Sequence, residues 1–154
     1  MASSFNQSKL KSFRKCCITN TDLLHLLVTF GLFVLIWLIQ VLHYPSFNFY
    51  EDNKFKEAMI FHQNRITFIV LPLMVLEIFI TVWCFYEKIN FFTITNLLIV
   101  IGIWLSTFFL QVPAHDKLIL KKDSKMIQKL VKTNWIRTIL WSLKLVVLLK
   151  QAYL

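Results

Sequence analysis

Three histidines stand at the ends of apolar runs in this 154-residue sequence: His43, His62 and His115. An imidazole takes or gives a proton near neutral pH, and neutral imidazole suits zinc, copper, iron or haem. None of the three has a histidine partner at helical spacing, so a shared metal or haem site with His43, His62 and His115 as ligands needs three separate helix ends to meet. The bland alternative is three interfacial histidines satisfied by water or backbone. Near them are Gln40 and Tyr44, Arg65, Gln111, Asn134 and Arg137. Guanidinium and amide groups at one end of a bundle would hold an anionic or carbonyl group, such as a lipid head group, a quinone or a phenol. The same groups could instead form a network that fixes helix register.

A second constellation lies deeper. Asn134, Arg137, Thr138, Trp141 and Lys144 fall within an arc of roughly 120° at helical spacing. One face of the last helix is therefore polar and should point inward. The only carboxylate in the preceding apolar runs is Glu77. Measured from the same membrane face, Glu77 lies about 16 Å deep and Lys144 about 18 Å deep. An ion that deep needs a partner or a cavity, so the two are expected to form a buried ion pair. Such a pair relays protons or sets helix register. Arg137, about 7 Å deep, should reach the interface or hold a buried acceptor such as Gln40 or Gln111.

These residues need long apolar elements to position them. The chain is 57% hydrophobic and 16% charged, with 15 Phe and 2 Gly. Soluble domains are nearer a quarter charged. Four apolar runs, roughly 23–42, 66–85, 91–110 and 131–149, each approach the ~20 residues that cross a bilayer core. The expected fold is all-α: an integral membrane four-helix bundle, one domain over 1–154. Pro45 should end the first helix, and Asn48 with Glu51 resembles a capping box for the second. Pro72 should kink the second helix, and Pro113 should end the third. "DKLILKKDSKMIQKL" reads as an interfacial amphipathic linker, with Asp123 or Ser124 capping the last helix. This topology gathers the 44–65 and 113–130 connections at one end, with all the histidines above. The opposite end offers little beyond His25, Thr95 and Asn96.

The basic "KLKSFRKCC" precedes the first run as in a signal peptide, but the run is too long and no small-x-small site follows, so it reads as a retained anchor. Cys16 and Cys17 are adjacent and Cys84 lies in an apolar run, which fits three free thiols, the first two open to acylation in a eukaryotic host. The net charge of +9 flanks the apolar runs, which points to anionic lipid and not to nucleic acid. The cation count places the connections on the cytoplasmic side, while the basic flank of the first helix favours the opposite.

"HYP" at His43–Pro45, "RITFIVLPLMVLE" from Arg65 to Glu77, "QVPAHDKL" after the third run and "NWIRTILWS" in the fourth resemble a set of small four-helix bacterial membrane proteins. They are more distantly similar to the anthrone-oxygenase-like group. The resemblance touches all four runs through short motifs. It implies a compact bundle in a bacterial inner membrane, oxidising a hydrophobic phenol without a bound cofactor, with Gln111, Pro113, Asn134 and Arg137 as motif positions. Two functions follow as expectations. One is a small redox or oxygenase-type enzyme, with His43, His62 or His115 as base or ligand and Arg137 stabilising negative charge. The other is a non-enzymatic binding or transport subunit with Glu77 and Lys144 on its polar path.

Overall fold

The computed structural model describes residues 20–153; Cys16, Cys17 and the basic segment before the first run lie outside them. The described residues are almost wholly helical and contain no strand. Helix α1 covers Asn20–Phe49, α2 Asp52–Glu87, α3 Phe91–Leu120 and α4 Ser124–Tyr153. The first three are long and apolar enough to cross a membrane. α4 is 30 residues long but carries more charge.

Two of the expected helix ends lie elsewhere. α1 passes through Pro45 and α3 through Pro113, the latter to Leu120. In both, a wide π turn comes just before the proline: Ile39–His43 in α1 and Thr107–Gln111 in α3. The Tyr44 N–H donates to the Ile39 carbonyl, and the Val112 N–H to that of Thr107, five residues back. A proline ring clashes with the carbonyl four residues back in a regular helix. The wider turn makes room for the ring, so the chain continues instead of stopping. α2 likewise runs unbroken through Pro72.

The connections are correspondingly short. The expected linker does not form a separate element. Its first half extends α3, its second half opens α4, and three residues lie between them. Asp123 Oδ1 accepts from the Lys125 N–H at 2.8 Å, a cap for α4. Asn48 does not cap α2; its Nδ2 donates to the Pro45 carbonyl, and α2 begins after Glu51 without a side-chain cap. Between α2 and α3, Asn90 and Thr93 form a reciprocal capping box. Lys122 Nζ reaches Asp52 at 2.8 Å and the Tyr50 carbonyl at 2.7 Å, tying the two connections together.

α4 packs along α3 and α1, and α2 along α1 and α3, which leaves α2 and α4 on a diagonal. Two apolar clusters fill the interior. One, around Tyr44, Phe47, Phe55, Met59, Leu118 and Ile127, sits at the connection end. The other contains Leu32, Ile36, Met74, Ile103 and Trp141. Outward, Phe68, Phe79, Leu98 and Phe109 are all exposed. An apolar exterior of this kind suits contact with lipid.

Candidate functional site

At the connection end, His43 and His62 stack with ring centroids 4.0 Å apart and 32° between planes. His62 comes from α2, where it is buried with Phe55 and Met59, at steps of four and three residues that share one helix face. His115, from the extension of α3, lies 5.9 Å from His62. Its Nε2 is 3.1 Å from the Tyr44 hydroxyl. Phe47 meets both His43 and His62 edge-on and walls the cluster from one side. Tyr44 and His115 both follow the π turns: Tyr44 comes directly after the turn in α1, and the continuation of α3 past Pro113 is what delivers His115.

Behind this cluster is an amide network. Asn134 Nδ2 donates to Gln40 Oε1 at 2.8 Å, and Gln40 Nε2 donates to the Val131 carbonyl at 3.2 Å. Arg137 Nη1 donates to Asn134 Oδ1 at 3.3 Å. Arg137 is buried, so it turns inward and does not reach for the interface. Gln111 stands apart from this network, with its Nε2 on Thr133 Oγ1 at 3.1 Å. Arg65 also stands apart. It is exposed, with its guanidinium 5.4 Å from the Phe61 ring, and it shares no hydrogen bond with the amides.

Several buried atoms here have no partner: His43 Nε2, His62 Nε2, His115 Nδ1, Gln111 Oε1 and Arg137 Nε. Each orphaned buried polar atom costs about 1–3 kcal/mol. The three imidazole nitrogens among them gather at the connection end. A groove of about 620 Å³ borders the stack. Its lining combines His43, His62 and Tyr50, the charged Lys54, Glu57 and Arg65, and apolar residues that include Phe61, Ile66 and Ile69.

A metal held by His43, His62 and His115 draws no support from how the three rings are arranged. Among the described residues no group of three His, Cys, Asp or Glu side chains is arranged to hold a metal ion. The three rings do meet, with His43 tilted 32° against His62 at 4.0 Å between centroids.

The second constellation lies about 22 Å further along α2, fifteen residues beyond His62. Lys144 Nζ is 3.0 Å from Glu77 Oε1, across the α2–α4 diagonal. The pair has company that the sequence reading missed. Thr29 Oγ1 donates to Glu77 Oε1 at 2.6 Å, and Lys144 Nζ donates to Thr81 Oγ1 at 2.8 Å. His25 Nε2 lies 3.5 Å from Glu77 Oε1 and 3.1 Å from Thr81 Oγ1. All five side chains are buried. One signal was present. His25–Thr29 and Glu77–Thr81 are both four-residue steps, which put each polar pair on one helix face.

No family model matches the chain, nor does any curated protein or solved structure. Its function therefore has to be argued from these two constellations alone.

Proposed function

We propose that this chain is a four-span membrane protein that binds a hydrophobic phenol or quinol and removes the proton from its hydroxyl. The observation that carries this is the His43–His62 stack, with both Nε2 atoms buried and unpartnered, on the wall of a groove that is otherwise largely apolar. A hydroxyl placed there would meet imidazole bases, and an apolar ring or tail would lie along Ile66 and Ile69. Two stacked imidazoles cannot both carry charge cheaply, so at least one stays neutral and able to accept a proton. Tyr44 and His115, hydrogen-bonded to each other, lie beside the stack, and Arg137 supplies positive charge behind them. Deprotonation makes a phenol electron-rich, which is the first requirement of a redox or oxygenase-type reaction with dioxygen.

That α4 also crosses the membrane is supported by where its charges lie. Arg137 and Lys144 are buried, while Ile136, Ile139, Leu143 and Val146 are exposed. An outer face of that composition is tolerable in hydrocarbon. The resemblance to small bacterial proteins favours an inner-membrane setting.

The test is a hydroxynaphthoquinone probe, coloured when ionised, titrated into detergent-purified protein. Binding should shift the probe towards its ionised spectrum below its free pKa. His62→Ala and His43→Ala should weaken it about tenfold or more, a loss of at least ~1.4 kcal/mol. Binding that ignores both substitutions, or no binding at all, overturns the reading. The alternative, a transport subunit with Glu77 and Lys144 on its path, has to contend with Leu32, Ile36, Met74, Ile103 and Trp141. These form an apolar cluster in the interior between the two polar regions.

A further inference from the structure

Among the described residues Cys84 is a free thiol, half-buried on α2, one helical turn beyond Thr81. Its Sγ lies 3.9 Å from His25 Nδ1. The other nitrogen of that ring faces Thr81 and Glu77, and their hydrogen bonds fix where its proton sits. Thr81 Oγ1 donates to the Glu77 carbonyl at 2.8 Å, which uses its one proton. Lys144 then donates to the same oxygen. Towards His25, Thr81 can only accept, and so can the Glu77 carboxylate. His25 Nε2 must therefore carry the hydrogen, which leaves Nδ1 as a bare lone pair facing the thiol. This is a nucleophile, a base in the right tautomer and a carboxylate that orients the base.

We propose that Cys84, His25 and Glu77 form a thiol–imidazole–carboxylate site that accepts an acyl group from a long-chain acyl thioester. The chemical class follows from the position. Cys84 lies about 4.5 Å along the axis from the end of α2 at Glu87, and exposed Leu24 and Trp83 flank it. An electrophile reaching it must keep its reactive carbon near the membrane surface and its tail among apolar side chains. A fatty acyl thioester has that form, with a water-soluble leaving group outside. Sγ attacks the thioester carbonyl carbon as the S–H proton passes to His25 Nδ1. The bond to the leaving sulfur then breaks, and that thiolate takes the proton from His25. One thioester is exchanged for another, and no oxidant or reductant is needed. Glu77 stabilises the transient imidazolium, with Thr29 and Lys144 holding its Oε1. Other charges facing the thiol are Asp22, Glu87 and Lys144.

The experiment uses the full chain with Cys16→Ser and Cys17→Ser, reconstituted in vesicles and given an alkyne-tagged palmitoyl-CoA. A single hydroxylamine-sensitive acyl group should appear and map to Cys84. Cys84→Ser should abolish it. His25→Gln keeps a donor for Thr81 and Glu77 but has no base, and should slow the reaction about 100-fold or more. Equal rates in the His25→Gln chain, or label only at other residues, would overturn the proposal. If that variant does not fold, the pH–rate profile of the histidine-containing chain decides. A half-point well below the range of an ordinary thiol fits imidazole assistance, and one at about 8.5 or above fits an unaided thiol and rejects it.

Discussion

The two polar regions of this protein solve the problem of burial in opposite ways. Around Glu77 the charges are paired through one carboxylate oxygen, and only Oε2 is left open. One carboxylate oxygen meets Lys144, Thr29 and His25, and Thr81 joins the cation and the imidazole. Around His62 the polar atoms are packed just as deeply, yet imidazole nitrogens and the Arg137 Nε are left without partners. A region whose hydrogen bonds close on themselves holds helices together. A region that leaves them open has room for another molecule. The first belongs to the fold with a reactive edge at Cys84, and the second to a ligand.

That contrast breaks most readily at the ion pair, where the largest effect is expected. Glu77→Gln or Lys144→Met alone strands a buried ion and should cost about 3–5 kcal/mol. The double variant should lose less than the sum. Unfolding in detergent of all three variants checks this, and strictly additive losses would mean the closed region is not coupled. Next is the amide network. Gln40→Ala leaves the buried Asn134 Nδ2 without its acceptor and the Val131 carbonyl without its side-chain donor, and should cost about 1–3 kcal/mol in the same assay. On the open side the balance should reverse. His62→Ala removes atoms that have no partner to lose, so thermal stability should fall by less than for Gln40→Ala while probe affinity collapses. A drop in stability matching that of the ion-pair variants would place His62 in the structural class. The smallest effect belongs to the surface. Asp52→Asn breaks the exposed contact with Lys122 and should change stability by no more than about 1 kcal/mol, and less still in high salt.

Much of the arrangement was legible because depth along a helix is simple arithmetic. Glu77 and Lys144 could be matched across α2 and α4 by counting 1.5 Å per residue. The gathering of His43, His62 and His115 at one end followed from short connections. What could not be read was how one helix is rotated against the next. Spacing places Asn134, Arg137 and Lys144 on one inward face of α4, but it does not say which groups of another helix that face meets, so Arg65, near those amides in depth, stands apart from them in the fold. His25 was passed over because it begins a run at the seemingly empty end, and only the α1–α2 packing brings it to Glu77. The prolines misled for a local reason. Each clashes with a regular helix, but a wide turn upstream removes the clash, and no residue type announces such a turn.

Those wide turns act like dislocations in a crystal lattice. The buried stripe of α3 steps through Val100, Ile103 and Ser106, then jumps to Gln111 before resuming at Ala114 and Leu118. The five-residue jump is one more than a regular helix allows, so the halves of α3 differ in phase by a single inserted residue. The defect and the proline after it are therefore a matched pair. Deleting Phe109 would restore the regular phase but drive Pro113 into the carbonyl before it. Combining the deletion with Pro113→Ala should heal the lattice, with Gln111 and His115 still facing inward. A helix built this way can gain or lose a residue between its halves without surrendering either face, provided the proline comes and goes with the defect.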